Sequence, residues 1–337
     1  MDVPQKGQFI GSLIGQCLGD ALGFPVEGRP RGACRKYLSE QLKPDRVGEV
    51  GRGPFPFGQY TDDSQLAREL LQSYVAYGRF DPADYAGRIA AIFREGRIVG
   101  RGRATTEAAE RLAEGVSWEE AGTPPPSAGN GSAMRAGLIG LLFFDDPQGL
   151  IQAAHDQGRI THKDRRCSAG AVAVAGGVSL AIQMRPMESG KFLAQLGEWV
   201  GAIETSFASS LQSLNEWVSL PPDEAASFIS RAGLDGDDTD GWEGISPFVI
   251  PSVLWSLYSF LRSPDDYIET IRTAVGVGGD VDTTAAMAGA ISGAYLGIEA
   301  IPSRLARRLT DRGRWGFTDL VELAGRVYEI KTGIEGV

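Results

Sequence analysis

Two stretches of the chain set carboxylates beside hydroxyls in a pattern that suits a hard cation. One is Thr61-Asp62-Asp63-Ser64; the other is Gly278-Gly279-Asp280-Val281-Asp282-Thr283-Thr284. Each stands immediately before a helical pattern and so has an ordinary explanation, because short polar side chains accept hydrogen bonds from the first N–H groups of a helix. Negative charge at that end gains about 0.3 to 1 kcal/mol from the helix dipole. The alternative is metal ligation, since carboxylate and hydroxyl oxygens are what Mg²⁺ or Mn²⁺ takes. Asp62, Asp63, Asp280 and Asp282 with Thr61 and Thr283 could together hold two such ions about 3.5 to 4 Å apart, the arrangement of binuclear hydrolytic sites. On the residues alone, two independent caps and one shared centre both stand.

Other places have chemical potential. Glu27 sits in the Pro/Gly-rich turn FPVEGRP, either as a solvated loop glutamate or as an acid held in place by the turn. The run Gly129-Asn130-Gly131-Ser132-Ala133-Met134-Arg135 precedes an apolar segment, Ala136 to Phe144, that reads as a helix. Glycines beside Asn and Ser at a helix start expose backbone N–H groups to a phosphate or diphosphate. The run lacks the ending of a Walker loop and follows no strand, as a dinucleotide-binding turn would. Arg101 and Arg103, in the Gly/Arg loop 98–106, are solvated cations or phosphate contacts. His155 and His162 are the only histidines and have no Cys partner, which argues against the usual zinc sites. His155 reads as a capping or core-edge residue. Asp235 to Asp240 resembles a calcium loop superficially, but Ser246 stands where an EF-hand needs Glu, so a solvated acidic loop is expected.

The elements that must position these groups read as helices. Gly289, Gly293 and Gly297 recur every four residues, as do Ala286, Ala290 and Ala294, so the helix after Thr284 bears nothing larger than a methyl group on two adjacent stripes. Glycine costs a helix interior about 1 kcal/mol relative to alanine, so this register needs a packing reason, and a buried central helix supplies one. Ser168 to Ile182 repeats the device with Ala169, Ala173, Gly177 and Ala181, so that the two helices could pack against each other. The spacing of Phe9, Leu13, Ile14, Cys17, Leu18 and Ala21 predicts a first helix ending near Leu22. Leu66, Leu70, Leu71, Tyr74 and Val75 predict another, capped by Thr61 and closed by Gly78. Further helices are expected at Phe80 to Gly96, Glu107 to Gly115, between 186 and 233 and within 241–261, and the segment 304–330 is expected to close the domain. No period-2 pattern or internal repeat persists, so the fold class is all-α, in a single domain over 1–337.

Composition, at 42% hydrophobic and 23% charged, is that of a water-soluble globule with room for a large core. A net charge of −10 without Lys/Arg runs excludes the electrostatic footprint of a duplex nucleic-acid binder. An anionic substrate must then be met by metal ions and backbone N–H groups. Cys17, Cys34 and Cys167 lack any C-x-x-C spacing, which predicts reduced thiols in a cytoplasmic protein. The apolar N-terminal segment begins with Asp2 and is interrupted by Asp20, so it reads as a helix rather than a signal peptide. Thr284 to Ile298 is too short to span a bilayer, and no membrane partner is expected.

The ordered set GDALGFPVEG, TDDS, GNGSAMR, THKD and GGDVDTTAAMAGAISGAYLG resembles the ADP-ribosylglycohydrolase family over about Gly7 to Pro302. The resemblance implies a compact orthogonal bundle of many helices with two Mg²⁺ or Mn²⁺ ions. It implies hydrolysis of the glycosidic bond between ADP-ribose and an acceptor, an arginine or serine side chain of an ADP-ribosylated protein or a small ADP-ribosyl conjugate, with ADP-ribose as product. Thr61, Asp62 and Asp63 then correspond to one ligand set, and Asp280, Asp282 and Thr283 to the other. Glu27 resembles the family's acidic residue at the metal site or general base, and Asp63 and Asp282 are the metal-linked alternatives for the proton transfer. Gly129 to Arg135 is similar to the segment that wraps ADP-ribose, and His162 to its histidine contact. Ser64 and Val281 stand where many members have Thr, and neither change removes a ligand. Rival readings are a non-catalytic ADP-ribose-binding regulatory protein and a Mg²⁺-dependent nucleotide phosphoester hydrolase.

Overall fold

The computed structural model describes residues 3–42, 50–234 and 241–334, among which the chain forms sixteen α-helices and no strand. The acidic segment Asp235 to Asp240 lies outside the described residues. The first half contributes α1 (Lys6–Gly23), α2 (Arg31–Gln41), α3 (Asp62–Tyr77), α4 (Pro82–Arg94), α5 (Arg103–Ala113), α6 (Ile139–Leu142), α7 (Pro147–Arg159) and α8 (Arg165–Ala181). The second contributes α9 (Ser189–Gly201), α10 (Thr205–Trp217), α11 (Pro222–Ile229), α12 (Val249–Arg262), α13 (Tyr267–Gly276), α14 (Val281–Leu296), α15 (Ser303–Ala306) and α16 (Phe317–Thr332). Buried apolar residues from α1 through α16 form one continuous core, as an all-α single domain requires.

The centre of that core is the pair α1 and α14, packed antiparallel with their backbones in contact. A Cβ placed on Gly11, Gly15 or Gly19 would stand 2.4, 2.3 or 2.1 Å from the carbonyl oxygen of Gly293, Gly289 or Ala285. The small-residue face of α14 therefore meets a matching glycine register on α1, which the apolar stripe of α1 had concealed. α8 does touch α14, as its composition suggested, but through side chains: a Cβ on Gly177 would meet Ile291 at 3.1 Å. Polar side chains lock the close pair. Ser12 Oγ donates to Ala290 O at 3.0 Å, Gln8 Nε2 to Ala294 O at 3.0 Å and Tyr267 OH to Gly15 O at 2.8 Å. Antiparallel packing sets the end of α1 against the beginning of α14, so that a Cβ on Gly23 would lie 2.4 Å from Asp282 Cα. The chain leaving α1 is thereby delivered to the head of α14.

Two expectations need correcting. Ala136 to Phe144 is not one helix: turns lead to the single-turn α6, since the backbone bonds there reach back three residues, Ile139 N to Ala136 O and Gly140 N to Gly137 O at 2.9 Å each, while Gly140 lies directly on α8, where a Cβ would be 2.2 Å from Ala175 O. The Gly/Arg loop ends sooner than its composition implied, since α5 begins at Arg103. The spans Lys6–Val26 and Arg165–Gln183 are long and apolar enough to cross a membrane, although charge-free windows did not reveal them; 89% and 83% of their apolar windows lie inside the protein.

Candidate active site

Thr61 and Asp280 occupy the N-cap positions of α3 and α14, yet neither side chain caps its own helix. At α3 that work is done by Asp20, from α1. Its two carboxylate oxygens each accept from Thr61 N at 3.0 Å, one accepts from Thr61 Oγ1 at 3.0 Å and the other from Ser64 N at 3.2 Å. Thr61 thus donates its hydroxyl proton to Asp20 and keeps its lone pairs, while Asp62 and Asp63 are left unneeded for capping. Asp20 is fully buried, and burial pushes its carboxyl up to about 7. Sequence reasoning noted Asp20 only as a break in an apolar segment; the available signal was an ionisable residue on the buried face of a helix.

The two acidic stretches meet. The Thr283 hydroxyl lies 3.2 and 3.3 Å from the two carboxylate oxygens of Asp63, to which it donates, and Thr61 Oγ1 lies 3.3 Å from Asp63 Oδ2. Glu27, Asp280 and Asp282 each offer a carboxylate oxygen within 4.8 Å of the others. Glu27 is held there by a backbone latch in which Gly28 N donates to Gly279 O at 2.8 Å and Gly279 N to Arg29 O at 3.1 Å. Gly279 has φ +91°, and a Cβ on it would stand 2.1 Å from Ile245 O, so the latch requires glycine. Glu27 is therefore not a free loop side chain: it is half-buried and paired with Arg52, whose guanidinium also donates to Phe24 O at 3.0 Å.

The electrostatics ask for a cation. Burial, then the charges of Asp20 and Glu27, pushes Asp62 up to about 7, and burial with the charge of Glu27 pushes Asp280 up to about 6, despite the opposing Asn130 hydrogen bond. Asp63 and Asp282 are driven well above the usual carboxylate range by burial and by their acidic neighbours. Among the described residues, only Glu27 of this group has a basic partner, Arg52. Buried carboxylates without counter-charge are unfavourable, and a divalent ion offsets them. The donor set consists of carboxylate and hydroxyl oxygens with no thiolate or imidazole, which fits Mg²⁺ or Mn²⁺. Asp62 is fixed from behind: its N–H donates to Val99 O at 2.7 Å, and its carboxylate faces Gly100, where a Cβ would lie 2.4 Å from Oδ1.

These acids form the floor of a cleft of about 550 Å³ whose walls include Arg101, Arg103, Thr105, His162, Trp242 and Phe248. Of the run 129–135, Gly129, Asn130, Gly131 and Met134 line the cleft, whereas Ser132, Ala133 and Arg135 do not. The chain turns inward after a 3₁₀ turn at Asn130–Ser132. Ser132 Oγ then donates to Cys167 O at 3.0 Å, Ala133 enters the core, and the Arg135 guanidinium is wholly enclosed. Three backbone N–H groups of the run are already engaged: Asn130 N with Pro247 O, and Ala133 N and Met134 N with Asn130 O. The run correspondingly offers the cleft fewer backbone N–H groups than the motif suggested. Asn130 has a second duty, donating its amide to Asp280 Oδ2 at 2.6 Å and to Ser252 Oγ at 2.9 Å. His155 is half-buried and bonded to Ser168 Oγ at 3.0 Å, the core-edge residue expected.

The molecule is thus an all-α bundle with an acidic, cation-suited floor beneath a polar cleft. The family model for ADP-ribosylglycohydrolase matches residues 1–334, and the chain belongs to the ADP-ribosylglycohydrolase family. It is 30% identical to the human ADP-ribosylhydrolase ARH3 over 329 residues, covering 88% of this chain and 87% of that protein. It is 26% identical to the ADP-ribosylarginine hydrolase Tri1 of Pseudomonas putida over 301 residues, covering 87% and 71%. The solved structure of an ADP-ribosylglycohydrolase-related protein complex superposes with a TM-score of 0.72 at 28% identity, over 97% of this chain and 99% of that one.

Proposed function

We propose that this chain hydrolyses the glycosidic bond joining ADP-ribose to an acceptor, with Mg²⁺ or Mn²⁺ ions held by Asp62, Asp63, Asp280 and Asp282 and by the hydroxyls of Thr61 and Thr283. The observation that carries this reading is the Thr283–Asp63 contact, which brings the two Asp/Thr stretches together through residues 220 positions apart. The names of its relatives, ADP-ribosylhydrolase and ADP-ribosylarginine hydrolase, supply the substrate class. When bound, the cations supply Lewis-acid polarisation of ribosyl oxygens and of a water. The chain's own residues do the rest. Breaking a ribosyl bond passes through an oxocarbenium-like state, so an oriented water and a proton acceptor are needed. Glu27, fixed by Arg52 beside Asp280 and Asp282, takes one proton from the water at its carboxylate as the water oxygen bonds to the ribosyl carbon and the bond to the acceptor breaks, and the departing acceptor nitrogen or oxygen takes up a proton in return; Asp63 and Asp282 are the alternative proton acceptors. Asn130 holds Asp280 in place, Gly129, Gly131 and Met134 form the wall against which ADP-ribose lies, and His162 contacts it. The acceptor is a side chain of an ADP-ribosylated protein, arginine or serine, or a small conjugate. The three buried, unpaired thiols support a reducing, cytoplasmic setting.

The test is an acceptor panel. Pure protein with Mg²⁺ or Mn²⁺ is given ADP-ribosylated arginine, ADP-ribosylated serine and simple phosphoesters, with and without EDTA. EDTA-sensitive release of ADP-ribose is expected from at least one ADP-ribosyl substrate. Phosphoester cleavage alone, or ADP-ribose binding without turnover, would overturn the reading.

A further inference from the structure

His162 is 3% exposed and sits in the wall of the cleft with its Nε2 edge towards Gly129 and Gly131. A Cβ on Gly131 would stand 2.8 Å from the ring's Cε1 and 3.3 Å from Nε2, so the bare glycine leaves that edge open. The other ring nitrogen, Nδ1, lies 2.8 Å from Thr161 Oγ1. Thr161 is in turn 2.8 Å from Arg135 Nη2. We infer that Arg135 and Thr161 are positioning residues that hold His162 in one neutral tautomer, with its hydrogen on Nε2, as a fixed donor to an oxygen of the ADP-ribosyl ligand.

The direction of each hydrogen bond follows from what each group can do. A guanidinium has donors and no acceptor, so Arg135 must donate to Thr161. Its remaining bonds fix it: Nε donates to Gln157 Oε1 at 2.9 Å, Nη2 to Gln157 O at 2.9 Å and Nη1 to Gly131 O at 3.1 Å. Thr161 is fully buried and has one hydroxyl hydrogen, for which His162 Nδ1 is the only acceptor in reach among the described residues. Were Nδ1 protonated, it and Arg135 Nη2 would both donate to Thr161 Oγ1, and the buried hydroxyl hydrogen of Thr161 would be left without an acceptor. Nδ1 therefore accepts, and the ring's hydrogen is on Nε2. Burial and the neighbouring Arg135 keep the imidazole uncharged, pushing its pKa down to about 3 against the pull of Asp164, whose carboxylate is itself bonded to Arg166 at 2.8 Å. The result is a neutral donor that neither titrates near pH 7 nor offers a lone pair to the cleft. It suits an acceptor oxygen of a ribose or phosphate group.

The ligand's identity rests on the proposed function; the tautomer does not. With two histidines in the chain, ¹⁵N-histidine labelling resolves both rings. For His162 at neutral pH, Nε2 is expected as the protonated nitrogen and Nδ1 as the unprotonated one. Titration with ADP-ribose should then give a Kd that rises roughly five- to tenfold in Thr161→Val, whose His162 spectrum shows mixed tautomers, and stays within about twofold of wild type in Thr161→Ser. A wild-type His162 protonated on Nδ1 would overturn the inference even if no variant folds, and so would Thr161→Val protein that binds ADP-ribose like the wild type. Absence of any ADP-ribose binding by wild-type protein with the Nε2–H tautomer intact would instead overturn the proposed function.

Discussion

Asp282 and Asp20 divide the work of the acidic centre between contact and support. Asp282 faces the cleft at the head of α14, with its N-terminal neighbours latched to the Glu27 turn, so its loss would remove one of the proposed cation ligands without touching the core. Asp282→Ala should cut turnover at least about 100-fold, with the helical circular-dichroism spectrum unchanged; full activity in that variant would sink the mechanism. Asp20 does not itself line the cleft and acts from behind it by holding Thr61, which does, and Ser64. Asp20→Asn offers one acceptor oxygen in place of two and should weaken Mn²⁺ binding by about 10- to 100-fold, the usual effect of disturbing residues behind a ligand shell. Calorimetric titration with Mn²⁺ measures it, and an unchanged affinity would show that Thr61 needs no such support.

At the scale of elements, the site exists because α1 and α14 can touch. Gly289 would bring a Cβ within 2.2 Å of Gly15 O, and the atom it meets is backbone, which cannot move aside alone. Gly289→Val should therefore cost about 1 to 3 kcal/mol or more by overpacking, and, by levering the helix heads apart, it should weaken Mn²⁺ binding as well. Gly87→Ala in α4 is the control: nothing lies within 4 Å of its Cβ, so the change should stabilise the protein by about 0.4 to 1 kcal/mol. Thermal melts of the two variants in opposite directions are the expected outcome. This seam also marks the limit of periodicity as a guide. Four-residue spacing of glycine and alanine announced that α14 would be central, but which helix would lie against it depended on a matching register in α1, whose large residues dominate its apolar stripe.

For the whole molecule, the acidic centre should make stability depend on pH and, with the proposed cations, on metal as well. Asp20 and Asp62 are pushed up to about 7 and Asp280 to about 6, whereas unfolded aspartates titrate near pH 4. The folded, cation-free chain thus binds more protons than the unfolded chain between these values. Its stability is full below about pH 4 from these groups and is lost as pH rises through about 6 to 7. EDTA-treated protein should show a falling Tm from pH 5 to pH 8, and saturating Mg²⁺ or Mn²⁺ should remove most of that fall by replacing protons as the counter-charge. A Tm that is flat or rising over this range in EDTA would contradict the buried, unpaired state of these acids.

The sequence by itself determined the helical class, the ends of α1 and α3, the two Asp/Thr stretches and the prominence of α14, because each is written in local spacing, caps and turn residues. Only the tertiary structure decided that Asp20 caps α3 from another helix, that Glu27 is latched to Gly279, that Asn130 serves Asp280 and that Arg135 turns inward to Thr161. Those pairings join residues as much as 251 positions apart in the case of Gly28, beside Glu27, and Gly279, counted from their numbers. Local chemistry names what a residue can bind; long-range packing selects which of the possible partners comes within hydrogen-bond distance.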